Sequence, residues 1–196
     1  MPDVDDQRAE VINYGLQLVC GEIPKTFIII TIAYLCGVLK LTILALLFIT
    51  PYKTFSGGVH LKTHIGCIIA TSLFYIGNAV LSKNIVLTPI YAKYILALAI
   101  WIFSVIMIKL YAPADTEAVP ILRKKDRKLK RNLSYITMTL TIIAGVLIKN
   151  TVISNLLIFG TFIQTISITK LIYILTKSKY GYAEYIKNQQ ISNNEA

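Results

Sequence analysis

Acidic side chains are scarce in this chain. Of 196 residues only ten are Asp or Glu, against twenty Lys or Arg, and none lies between Glu22 and Asp115. Charged residues make up 15%, where soluble domains carry about 25%. Cysteine is sparse too. Cys20, Cys36 and Cys67 are odd in number and form no C-x-x-C pair, which excludes a disulfide framework and leaves at least one free thiol. The stretch MPDVDDQRAE lacks the basic start and apolar core of a cleavable signal peptide. Insertion through the chain's own spanning segments is therefore expected. Histidine is limited to His60 and His64.

Apolar side chains are abundant. They make up 55% of the chain, and the mean hydropathy is +0.63. This composition points to an integral membrane protein with one membrane-embedded domain, residues 1–196. Residues 1–24 read as an amphipathic helix at the interface, with Gly21 and Pro24 as punctuation. Spanning candidates follow at 26–50, 65–82, 90–111, 133–148 and 151–175, each judged against the roughly 20 apolar residues needed to cross a bilayer. Lys40 is costly inside the first of them, and Gly37 one turn earlier suggests that the stretch is broken. The expected fold is all-α: a polytopic helical membrane protein with about five to six transmembrane helices plus the N-terminal amphipathic helix. Residues 176–196 read as a polar, frayed tail.

The net charge of +10 is unevenly spread. Residues 113–132 carry Arg123, Lys124, Lys125, Arg127, Lys128, Lys130 and Arg131. The positive-inside rule makes this a basic cytoplasmic loop. Working back through the spans places residues 51–64 on the cytoplasmic side as well. The N-terminus then lies inside if 26–50 breaks into a hairpin near Gly37–Lys40, and outside if it does not. The broken version is preferred.

Both histidines sit beside a thiol, in Gly57–Cys67, GGVHLKTHIGC. A cysteine becomes a nucleophile when an imidazole or a helix N-terminus stabilises its thiolate. Thr63 fits an N-cap, which puts Cys67 in the first turns of the next helix. His64 and Cys67, three apart, share a helical face about 4.5 Å apart along the axis. His60, seven residues before Cys67, reaches it only if the chain folds back, a bend that Gly57 and Gly58 permit. Spacing alone favours His64. Other readings stand beside this one. A cysteine in a spanning helix is most often a small apolar packer. His60, His64 and Cys67 could in principle ligate zinc, although nearby acids and further histidines are missing. Lys53 is either an interfacial anchor or a cation for an acidic substrate or an oxyanion. Thr71 and Ser72 either donate towards Cys67 or bond their own helix carbonyls.

The stretch GGVHLKTHIGC resembles the Gly-x-His-x6-Cys signature of the accessory gene regulator protein B (AgrB) family, membrane endopeptidases of bacterial peptide quorum sensing. YAPADTEAVPI, residues 111–121, is similar to that family's Tyr-Ala-Pro-Ala-x-Thr…Pro-Ile segment, and a basic run follows in both. The resemblance implies a thiol protease with His60 and Cys67 as the catalytic pair. It places the family glycine on Gly58 and makes His64 a bystander, reversing the preference from spacing. Lys53 stands where the family often has arginine, and lysine lacks the bidentate fork.

The implied substrate is an AgrD-like precursor with an acidic C-terminal tail, for which Arg123, Lys124, Lys125 and Arg127 are candidate acceptors. The implied product is a thiolactone or lactone macrocycle. Anionic lipids are expected partners of the basic run. Homodimerisation is expected by family analogy alone, and nucleic acid is not among the expected partners. No metal or cofactor is expected. The implied location is the bacterial cell membrane, multi-pass, with the active site on the cytoplasmic side. Backbone amides near Gly66 and Cys67 are candidate oxyanion donors. The main rival is a non-enzymatic small transporter or accessory subunit. It would need polar residues lining a path, whereas intramembrane charge is limited to Lys40, Lys170 and helix-end lysines.

Overall fold

A computed structural model describes residues 22–59, 61, 63–85, 90–116 and 120–194. Most of the expected amphipathic helix, residues 1–21, lies outside this set. Among the described residues the fold is all-helical. The chain is helical over 22–35 (α1). There follow α2 (Leu39–Ser56), α3 (His64–Asn84), α4 (Ile90–Tyr111), α5 (Lys124–Leu147), α6 (Thr151–Ser167), α7 (Lys170–Leu175) and α8 (Gly181–Asn194).

Gly37 ends α1. It adopts φ +67°, its N–H donates to the Tyr34 carbonyl at 3.0 Å, and the Val38 N–H donates to the Ala33 carbonyl at 3.0 Å. This pair of bonds around a left-handed glycine is a Schellman stop, and Ala33 and Val38 are buried in one cluster. The stretch 26–50 is therefore broken. Ile29 and Ala33 of α1 share one buried cluster with Ala45 and Ile49 of α2, so the two helices fold back on each other as a hairpin. The break also resolves the cost of Lys40, which is exposed in the first turn of α2.

The centre of the bundle is α6. It packs against α2, α3, α4, α5 and α7, and Ser154 to Thr161 are all buried. Between apolar helices the hydrophobic effect is weak in lipid, so small residues and hydrogen bonds hold the contacts. A Cβ added at Gly160 would come within 2.1 Å of Ile49 Cδ1. Asn78 Nδ2 donates to the Leu156 carbonyl at 2.9 Å, Asn155 Nδ2 to Ile85 at 2.7 Å, and Ser154 Oγ to Gly145 at 2.6 Å.

Three helices are long and apolar enough to cross a membrane: Leu39–Ser56, Ile65–Asn84 and Tyr91–Tyr111. The expected count of five to six is not reached among the described residues, for three reasons. Gly37 splits 26–50. The first third of α5 is charged, so residues 133–148 are the apolar part of a longer helix. The stretch 151–175 breaks at Ile168–Thr169, leaving α6 as a shorter apolar helix of 17 residues. The basic segment 113–132 is not a loop throughout. From Lys124 it is helical, as suits lysine and arginine with Asp126 in the first turn. Nor is 176–196 simply a frayed tail, because α8 occupies most of it.

Candidate active site

The ends of α2, α4 and α6 meet the starts of α3, α5 and α8 at one end of the bundle, and the Cys67 segment lies there. Thr63 caps α3: its Oγ1 accepts from the Gly66 N–H at 3.2 Å. The Cys67 N–H donates to the Thr63 carbonyl at 3.0 Å. Cys67 is thus a half-buried free thiol early in a capped helix, where the helix dipole favours negative charge. The same bonds consume the Gly66 and Cys67 amides, so these two are not the free oxyanion donors expected from sequence. The amides left over by helix geometry are those of His64 and Ile65. His60 lies outside the described residues, and His64 is the first residue of α3. Ser72 Oγ is buried and finds no partner among the described residues, so it bonds neither Cys67 nor its own helix.

Lys53, in the last turn of α2, turns towards α3. Its Nζ lies 4.9 Å from the Phe74 ring centroid and 5.5 Å from that of Tyr75. On α1, Lys25 is paired with Glu22.

Gly57 and Gly58 join α2 to this region with φ of +75° and +149°. They are pinned on both sides. The Ala114 N–H donates to the Ser56 carbonyl at 2.8 Å, and the Gly58 N–H donates to the Ala114 carbonyl at 2.9 Å. From α6, Gln164 Nε2 donates to the Gly57 carbonyl at 2.8 Å and to Ser56 Oγ at 3.0 Å. A Cβ at Gly57 would sit 2.2 Å from the Ala114 oxygen. Two stretches that stand out separately in the sequence thus meet, through Gly57 and Gly58 of one and Ala114 of the other.

The 111–116 segment is held in turn by a fully buried carboxylate. Asp115 Oδ2 accepts from the Ile121 N–H at 2.9 Å, Arg127 Nη1 at 3.0 Å and the Tyr182 N–H at 3.1 Å. Arg127 also lies 4.3 Å over the Tyr182 ring. Arg131 Nε donates to the Ala112 carbonyl at 2.8 Å. Arg127, expected as a tail acceptor, is thus committed within the fold, while Arg123, Lys124 and Lys125 are exposed. Sequence reading passed over Asp115 and Gln164. Each carried a signal: Asp115 ends the long acid-free stretch, and Gln164 is a lone amide in the apolar run of α6.

The chain matches the family description AgrB, Accessory gene regulator B, over residues 2–168. It belongs to the accessory gene regulator B family. An AgrB-like protein of Listeria innocua is 30% identical over 184 residues, covering 92% of this chain and 87% of its own. An AgrB-like protein of Clostridium acetobutylicum is 27% identical over 176 residues, 89% and 81% respectively. Accessory gene regulator protein B of Staphylococcus aureus strain Newman is 23% identical over 164 residues, 83% and 82%. No solved structure matches. The family match takes in Cys67, both glycines, Asp115 and Gln164, and ends before α7 and α8.

Proposed function

We propose that this AgrB-family chain is a membrane cysteine endopeptidase of an accessory gene regulator quorum-sensing system. It removes the C-terminal tail of a small AgrD-type precursor peptide. The carrying observation is Cys67: a half-buried free thiol near the start of a Thr63-capped helix.

In this reading His60 takes the Cys67 proton and the thiolate attacks a precursor carbonyl. The peptide C–N bond breaks, the imidazolium protonates the departing amine, and the signal segment stays on Cys67 as a thioester. A cysteine or serine within the precursor then attacks. Its proton returns to the Cys67 sulfur, and a thiolactone or lactone ring leaves. Thioester exchange for thioester costs little, and restricted water disfavours the hydrolytic branch. Lys53 stabilises the thiolate and the oxyanion that follows it. The site faces the cytoplasm of the bacterial cell membrane, because the basic start of α5 shares its end of the bundle. Exposed Arg123, Lys124 and Lys125 receive an acidic tail or anionic lipid.

The transporter reading is weaker. The polar side chains around α6 that a path would need are largely spent on helix–helix hydrogen bonds, and Gly160 leaves no room beside Ile49.

Co-expression with an AgrD-type precursor peptide from the same genome, scored for cleavage, tests the proposal. Cys67→Ser and His60→Ala should abolish cutting, and His64→Ala should retain much of it. Cutting by Cys67→Ser sinks the mechanism. An inactive His64→Ala with an active His60→Ala moves the base to His64.

A further inference from the structure

We propose that Asp115 is a positioning residue of the candidate site, acting through the backbone of Ala114 on Gly57 and Gly58. The inference rests on the peptidase reading above. Asp115 occupies the open position of the Tyr-Ala-Pro-Ala-x-Thr pattern, so no motif role falls on it. Its side chain is fully buried, and a buried charge persists only when paired and hydrogen-bonded.

One oxygen of this carboxylate gathers three separate pieces of chain: the backbone at Ile121, the first turn of α5 and the start of α8. A fourth arrives at its backbone, where the Tyr173 hydroxyl of α7 donates to the Asp115 carbonyl at 3.0 Å. The rings of Tyr173 and Tyr180 stack at 3.9 Å, and Tyr111 stacks on the other partner at 6.1 Å. A Cβ at Gly181 would sit 2.2 Å from the Thr116 oxygen, so α8 approaches the segment as closely as glycine allows.

The consequence lies one residue away. Ala114 forms both backbone bonds to the Ser56–Gly58 segment, and that segment is the covalent path from α2 to the residues before Cys67. The carboxylate fixes the 111–116 segment, and that segment fixes the two glycines. Tyr173, Gly181 and Tyr182, beyond the reach of the family match, therefore help to set the geometry of the site. A group that positions others acts on the chemical step more than on substrate binding.

The test uses full-length protein in lipid vesicles, with the precursor peptide as substrate. Asp115→Leu removes every acceptor, whereas Asp115→Asn keeps one oxygen where Oδ2 stands. Asp115→Leu should lower kcat by about tenfold to a hundredfold, as a small misplacement does, with KM changed less than about twofold. Asp115→Asn should regain most of the loss. Unchanged kcat in a well-accumulated Asp115→Leu protein overturns the inference, as does a loss carried entirely in KM.

If Asp115→Leu fails to accumulate, Gly181→Val presses on the Thr116 carbonyl from the α8 side. It should show the same kcat loss, and normal kcat there overturns the inference. Failure of both to accumulate reduces Asp115 to a stability element and overturns it equally. Cleavage persisting in a parallel Cys67→Ser protein sinks the peptidase reading instead, a result that no Asp115 arm can mimic.

Discussion

Gly37 and Gly57 have nearly the same backbone φ, +67° and +75°, in opposite surroundings. A Cβ at Gly37 meets nothing within 4 Å, while one at Gly57 lands 2.2 Å from the Ala114 oxygen. Gly37→Ala should therefore cost only the left-handed conformation, about 1–2 kcal/mol. Gly57 has ψ −152°, in a region essentially reserved for glycine, and strain there costs about 1–3 kcal/mol. Relieving the clash also breaks the two hydrogen bonds to Ala114, at about 1 kcal/mol each. Gly57→Ala should then cost roughly 3–5 kcal/mol. The assay is reversible chaotrope unfolding of both purified variants in the same mixed micelles, with precursor cleavage measured alongside. Gly37→Ala should cleave at close to the parent rate, and Gly57→Ala should lose most of its activity. Equal destabilisation of the two would refute the claim that close packing against Ala114, rather than backbone sign, makes Gly57 necessary.

Gln164→Leu leaves the part-buried Gly57 carbonyl and the buried Ser56 hydroxyl without their side-chain donor and should destabilise by about 1–3 kcal/mol; a change within error in the same unfolding assay contradicts the pinning role. Thr63→Ala removes the cap of α3 and should cost about 1 kcal/mol, with Thr63→Ser restoring it, and the rate of Cys67 alkylation should follow the cap. Lys53→Met should slow alkylation of Cys67 in a Cys20→Ala, Cys36→Ala background, while Lys53→Arg should not; equal rates would deny Lys53 any influence on the thiolate. Burial pushes the phenols of Tyr173 and Tyr180 above the ordinary 10.0. The folded protein then keeps protons that the unfolded chain has already lost, so stability should fall as pH rises past about 10. Thermal unfolding across that range checks the sign, and a flat profile contradicts it.

Much of the candidate site was legible from short-range chemistry. Thr63 as a cap, Cys67 early in a helix and a break at Gly37 each depend on residues within about one turn of one another, so sequence spacing carries them. The basic run misled because charge sets topology without setting secondary structure. Lys124 to Arg131 are good helix formers, and they join the apolar stretch behind them in one helix. The described helices do not confirm the span count, because hydropathy is blind to a turn made by two residues in an apolar run, as at Ile168–Thr169. Arg127 looked like any other surface cation, because its partner Asp115 lies twelve residues away in the chain.

The sequence by itself determined that this is a helical membrane chain with a thiol at the start of one helix, since composition, periodicity and capping are local properties. Only the tertiary structure decided what holds that region in place. The bond from Gln164 to Gly57 spans 107 positions, and the contacts of Ala114 and Asp115 cross between helix ends that are adjacent in space alone. No local pattern encodes such meetings, because they arise from how α6 packs among its neighbours and which helix ends that packing brings together.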